Sequence, residues 1–126
     1  MNRNYTKKLL LEKIGLLREK IPTIAIRTSI IVGFPTEKEE DFQELADFVQ
    51  QVQFETLGVF EYSPEEETRA FSLKPHVPFY VKKRRKKILM DIQKKLVKTK
   101  NRSLKGKIFP CLIELPVDEY GGVWTG

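Results

Sequence analysis

The sequence predicts an α/β fold of parallel strands with helices packed against them, and three observations predict it. Helical and β-branched apolar stretches alternate in units of about 30 residues. The two strand candidates are short, largely apolar runs of the kind buried in parallel sheets. Each of them runs directly into a loop of turn-forming and acidic residues, "GFPTE" and "EYSPEEE", at the carboxyl edge where such sheets carry their sites.

The elements follow in order. In "YTKKLLLEKIGLLREKIP" Thr6 is an N-cap candidate, Leu9, Leu10, Ile14 and Leu17 share one helical face, and Pro22 stops the helix. "TIAIRTSIIVGF" is short and rich in β-branched residues, which predicts a strand buried on both faces. "TEKEEDFQELADFVQQVQF" opens with Thr36 and Glu39 in capping-box spacing and places Phe42, Leu45, Ala46 and Val49 on one face, the pattern of a second amphipathic helix. "ETLGVFEYSP" predicts a second buried strand ended by Pro64, and "EEETRAFSLKPHVP" reads as a loop. From Pro78 a long helix is predicted, with Val81, Ile88, Leu89, Ile92 and Leu96 at helical spacing and Gly106 as its stop. "KIFPCLIELP" and "YGGVWTG" predict two short antiparallel strands with a turn around Pro116 to Asp118; two strands alone make no stable sheet, so this module leans on something else.

Composition narrows the function classes. The chain has 126 residues, 40% apolar and 32% charged, which is a globular composition. No run approaches the roughly 20 apolar residues of a membrane helix. A single cysteine, Cys111, excludes an internal disulfide and suits a reducing, cytoplasmic compartment. The net charge of +6 is unevenly spread: Val81 to Lys107 holds 13 Lys and Arg against Asp91 alone, a local +12 that leaves the other 99 residues at −6. Lys82, Lys83, Arg84, Arg85, Lys86 and Lys87 form its densest part and are candidates for polyanion or ribosome contact, the alternative being a solvated helix face.

Arg27 is a charge in the middle of an apolar strand and needs a partner. At a period of two, Ile24, Ile26, Thr28, Ile30 and Val32 share one face, which is expected to meet helices, while Ala25, Arg27, Ser29, Ile31 and Gly33 share the other. Arg27 and Ser29 therefore project toward the side where a ligand sits, and a guanidinium there suits a carboxylate or phosphate. The alternative is an internal ion pair with Glu61 of the next strand.

The stretches "RTSIIVGFPTEKEEDF" and "LGVFEYSPEEET", then "VP", a basic helix ending "NR" and a following "GK", with "MNRNYT" at the start, resemble the radical S-adenosylmethionine methylthiotransferases in order and spacing. Within that family the wording is similar to the RimO type, which methylthiolates an aspartate of a small-subunit ribosomal protein, more than to the tRNA-modifying MiaB type. The resemblance implies residues 1–77 as the C-terminal part of a partial (β/α)6 radical barrel, 78–104 as a basic helix that closes and links it, and 105–126 as the start of a small β-barrel, the TRAM domain. It further implies S-adenosylmethionine and two 4Fe-4S clusters as cofactors of the complete enzyme. Arg27, Ser29, Gly33, Phe34 and Pro35 are then the cofactor-binding candidates, and Glu61 and Tyr62 candidates for the substrate pocket. The family's Gly-Glu-Thr after "GFP" is here Thr36, Glu37, Lys38, so the usual backbone freedom at that turn is missing. The cluster motif CxxxCxxC is absent, so no catalytic residue is identifiable in this chain and the fragment alone is expected to be inactive. The rival reading is a non-catalytic RNA- or ribosome-binding module acting through the basic helix. His76, between polar and proline neighbours, has no second ligand and is expected to be a loop residue; Tyr120 and Trp124 are expected to pack in the small barrel.

Overall fold

A computed structural model describes residues 6–66, 68–110, 112, 115–116 and 124–125. Cys111 and Tyr120, considered above, lie outside the described residues.

Helix α1 spans Lys7–Lys20, with Thr6 Oγ1 accepting from the Leu9 amide as its cap. Although Leu9, Leu10, Ile14 and Leu17 share one face, α1 buries none of its residues. It is held instead through Arg18, which donates to the carbonyls of Val52 and Gln53 and pairs with Glu55 at 3.7 Å.

Strand β1, Arg27–Val32, pairs in parallel with β2, Thr56–Glu61, in the register Arg27 opposite Thr56 through Val32 opposite Glu61. β1 begins later than its composition suggests, because the Ile26 amide donates to the Glu55 carboxylate at 2.7 Å, so its hydrogen bond goes to a side chain. Helix α2, Glu39–Val52, makes the crossover that parallel strands require. It does not start on Thr36. The Lys38 amide donates to Asp41 Oδ2 at 2.8 Å, which shifts the cap two residues on and places Glu39, Glu40 and Asp41 in the first turn, where negative charge is favoured.

Helix α3, Phe79–Leu104, starts after Pro78 and ends before Gly106, whose φ of +84° is left-handed. α2 and α3 pack on one face of the sheet, where Val32, Phe42, Ala46, Val49, Leu57, Val59 and Leu89 form the core. The two-fold alternation of β1 is observed, but the expectation that both strands are buried on both faces is not: Arg27, Ser29 and Ile31 are exposed, as is Phe60. β3, Leu115–Pro116, and β4, Trp124–Thr125, pair antiparallel as expected, as strands of two residues each.

Three α3 side chains tie the helix to the strand ends. Arg85 is 3% exposed; Nη1 donates to Glu37 Oε1 at 2.5 Å and Nη2 to Glu39 Oε2 at 2.9 Å, while the guanidinium lies 5.3 Å from the Phe42 ring centre. Glu37 in turn accepts from the Gly33 amide at 3.0 and 3.1 Å. Lys82 Nζ donates to the Tyr62 carbonyl at 2.8 Å, and its aliphatic stem lies against Gly33, where a Cβ would come within 2.4 Å of Lys82 Cγ. Gln93 Nε2 donates to the Phe54 carbonyl at 2.9 Å.

Removing one partner of a buried charge pair leaves the other uncompensated. Arg85→Ala is expected to lower stability by about 3–5 kcal/mol, whereas Arg84→Ala, whose pair with Glu39 is exposed, changes it by less than about 1 kcal/mol; urea unfolding monitored by circular dichroism measures both. Thr36 has a φ of 72°, a conformation unfavourable for a β-branched residue, with its amide donating to the Pro75 carbonyl at 3.0 Å. Thr36→Gly should therefore stabilise the chain by about 1 kcal/mol; a fall in the urea midpoint would contradict the strain.

Burial by itself raises the Glu55 carboxyl, but hydrogen bonds from Lys100 and the Ile26 amide, with the Lys100 charge, outweigh it and hold the group below its ordinary 4.5. A carboxyl depressed in the folded state contributes stability that is fully present above its unfolded value and lost as pH falls through the folded one. The stability gap between the parent chain and Glu55→Gln should be largest near neutrality and shrink toward about pH 3; a gap independent of pH would remove Glu55 from that role.

Candidate functional site

The carboxyl ends of β1 and β2 open onto the bare face of the sheet, and there a cleft of about 670 Å³ is lined by Ile31, Phe34, Phe60, Glu61, Tyr62, Ser63, Glu65, Thr68 and Ala70. Period-two geometry builds it. Ile31 and Phe60 leave the sheet on the side opposite the helices and are 50% and 57% exposed. Gly58, opposite Ser29, carries no side chain, and a Cβ there would meet the Phe60 ring at 3.2 Å and Ser29 Oγ at 3.4 Å, so Phe60 lies back over the strand.

The floor is fixed by the two strand-end turns. Phe34 and Tyr62 meet edge to face with ring centres 5.3 Å apart, and Lys82 Nζ stands 5.3 Å from the Tyr62 ring centre. The Tyr62 carbonyl is held by Lys82 and its amide donates to the Val32 carbonyl at 2.9 Å. Tyr62 Oη is buried and has no hydrogen-bond partner among the described residues. The arrangement offers aromatic faces beside Glu65, a surrounding suited to a flat heterocycle and a cationic centre.

Of the residues singled out from the sequence, Phe34, Glu61 and Tyr62 line the cleft. Gly33 and Pro35 are buried beneath it: the Gly33 amide is taken by Glu37, and its open α-carbon face is filled by the Lys82 stem. Arg27 and Ser29 lie lower on the bare face. Arg27 stands opposite Thr56, at the amino end of both strands, about 16 Å of strand from Val32 and Glu61. The alternative pairing of Arg27 with Glu61 is thereby excluded. Glu61 shares the helix-facing parity of Leu57 and Val59, and it meets Lys86 of α3 at 3.7 Å.

The six consecutive cations are likewise divided rather than presented as one surface. Lys82 and Arg85 point inward and are committed to the strand ends, Lys86 is half-buried against Glu61, and Arg84 pairs with Glu39 at 3.0 Å. Lys83 stands 4.6 Å from the Phe79 ring centre, and Lys87 is exposed. Sequence reasoning did not identify Lys82 and Arg85 as the residues that position the turns. Their period of three, with Leu89 four residues further on, carried that signal, because all three share the inward face of α3. Glu39 is held below its ordinary range chiefly by the Arg85 hydrogen bond.

His76 is an exposed loop residue, and among the described residues no group of three His, Cys, Asp or Glu is placed to hold a metal ion. No described helix is long and apolar enough to cross a membrane.

No protein-family profile matches the chain. Individual curated proteins do. It is 50% identical over 114 residues, 90% of its length, to the ribosomal protein uS12 methylthiotransferase RimO of Thermodesulfovibrio yellowstonii. It is 46% identical to the protein of the same name from Clostridioides difficile and 44% identical to that of Aquifex aeolicus, each over all 126 residues. The chain spans 27%, 28% and 29% of these three relatives, about a quarter of their length. Along nearly its whole length the chain is thus similar to one part of the RimO methylthiotransferases.

Proposed function

We propose that this chain is the C-terminal part of a radical S-adenosylmethionine methylthiotransferase that modifies an aspartate of ribosomal protein uS12. In this reading residues 1–77 complete a partial (β/α)6 barrel, 78–104 close and link it, and 105–126 begin a TRAM domain, in a cytoplasmic enzyme. The observation that carries the reading is the identity of 44–50% to uS12 methylthiotransferases. The bare sheet face supports it, because a two-stranded sheet with one open side is what a segment of a closed barrel presents.

The cofactors fit unequally. The cleft suits S-adenosylmethionine: Phe34, Phe60 and Tyr62 give aromatic surface for the adenine and the sulfonium, Glu65 gives negative charge, and Tyr62 Oη is a buried polar atom without a partner among the described residues. Bound there, the cofactor supplies the radical chemistry that activates a substrate C–H bond. The chain's own part is to orient and to exclude water: α3 fixes both turns through Lys82 and Arg85, and the aromatic walls keep the reacting region dry. Arg27 and Ser29, farther down the open face, are placed for a carboxylate or phosphate that reaches into the barrel. Iron–sulfur clusters do not fit these residues, since one cysteine cannot ligate a cluster.

The test uses the full reading frame expressed in a bacterium lacking its own uS12 methylthiotransferase, with the mass of uS12 as readout. Gain of a methylthio group is expected; unmodified uS12 beside a methylthiolated tRNA would overturn the substrate assignment. Phe34→Leu and Tyr62→Leu should raise the Kd for S-adenosylmethionine by about three- to thirtyfold, the equivalent of one aromatic contact with a cation, and unchanged affinity in both would move the cofactor out of the cleft.

A further inference from the structure

We propose that the outward face of α3 is a docking surface for the phosphate backbone of RNA, gripped by Lys83, Lys87, Lys94, Lys98 and Arg102. The inference does not depend on the chemistry of the cleft and stands on how α3 divides its charges. Within Phe79–Leu104 there are eleven Lys and Arg and one acid, Asp91. The cations that have carboxylate or carbonyl partners are Lys82, Arg84, Arg85, Lys86 and Lys100. Apart from Arg84, these share the helix side of Leu89, which is fully buried. Lys83, Lys87, Lys94, Lys98 and Arg102 recur at intervals of three or four residues, Asp91 filling the one gap, and all are exposed. Such spacing stacks them along one face, a stripe of about 28 Å at 1.5 Å per residue. Among the described residues this stripe forms no ion pair with a carboxylate. Part of it borders an open groove with Met90 and Val97 beside Lys94, Lys98 and Arg102.

Three features select RNA as the occupant. The charge is a linear array, which matches a phosphate backbone. Protein interfaces are enriched in aromatics and depleted in lysine, whereas α3 has no aromatic residue after Tyr80. A helix that inserts into a membrane surface needs its apolar side free, and here Leu89 and Ile92 are packed in the core.

The experiment measures the anisotropy of a fluorescein-labelled RNA hairpin titrated with the whole chain over a series of salt concentrations. Five phosphate contacts predict a slope of log K on log salt of about −3.5 to −4.5. The variant carrying Lys87→Glu, Lys94→Glu and Lys98→Glu should bind about a hundredfold more weakly with a slope reduced by about two to three. An equal charge change elsewhere, Lys8→Glu, Lys20→Glu and Lys74→Glu, should weaken binding only a few-fold. If the first variant loses helicity, Lys87→Gln, Lys94→Gln and Lys98→Gln provide the same comparison without added repulsion. The proposal is overturned by equal losses in the α3 and control variants, which would make binding a matter of net charge. It is overturned too by an unchanged slope, or by poly-glutamate or phosphatidylserine vesicles binding as tightly as the hairpin.

Discussion

The buried contact between Arg85 and Glu37 is the constraint on which the rest of the arrangement depends. Each carboxylate oxygen of Glu37 accepts from the Gly33 amide, and Oε1 also accepts from Arg85, so one side chain joins the end of β1 to α3. The second arm of the guanidinium reaches Glu39, the first residue of α2. Strand, crossover helix and closing helix therefore meet at one charged centre. Desolvating such a pair is unfavourable unless the remaining polar sites are met; here the Gly33 amide and the Glu39 carboxylate meet most of them, Arg85 Nε alone being buried without a partner among the described residues of this centre, and the Phe42 ring covers the guanidinium face.

That centre fixes geometry at the place where chemistry is expected to occur. A strand end followed by Gly-Phe-Pro is locally free to adopt several paths; tied at Gly33 by Glu37 and filled on its open side by the Lys82 stem, it has one. The same lysine holds the Tyr62 carbonyl, so both turns that flank the cleft are positioned by a single helix turn of α3. Thr36 is forced into a left-handed conformation as part of this path, which shows that the tertiary contacts around it outweigh a local preference of about 1–2 kcal/mol.

Much of the fold was legible in the sequence because it follows from local periodicity. Thr6 as a cap, the apolar stripe of α2, the β-branched content of β1 and the stop at Gly106 each announce their element. The parallel pairing followed from the order of elements. What was not legible depended on partners distant in sequence. The start of α2 moved because Asp41, and not Thr36, caps it. Arg27 and Glu61 could not be kept apart without the register, which puts them at opposite ends of the sheet and on opposite faces. Burial on both faces was inferred from apolar content, but residues such as Ile31 and Phe60 record only that a surface is meant to be covered. Of the candidate site, the turn residues Phe34 and Tyr62 were legible as strand-end aromatics. The roles of Lys82 and Arg85 were masked by the run of like charges around them.

That run looks uniform in one dimension and is not uniform in three. Six consecutive cations on a helix cannot all face water, because 3.6 residues per turn sends some of them back toward the sheet. The inward ones must then find carbonyls or carboxylates, and the acidic loop from Thr36 to Glu39 and the strand ends supply them. Once Lys82, Arg85 and Lys86 are satisfied in this way, they anchor the helix and no longer contribute to its outer field. The outward lysines are left with Asp91 as the single acid on the helix. A composition that suggests simple stickiness therefore separates into two functions: an inner row that orders the cleft, and an outer row whose unsatisfied charge is available to a polyanion. Mutations in the two rows have different consequences for that reason, one set acting through stability and turn geometry and the other through salt-dependent association alone.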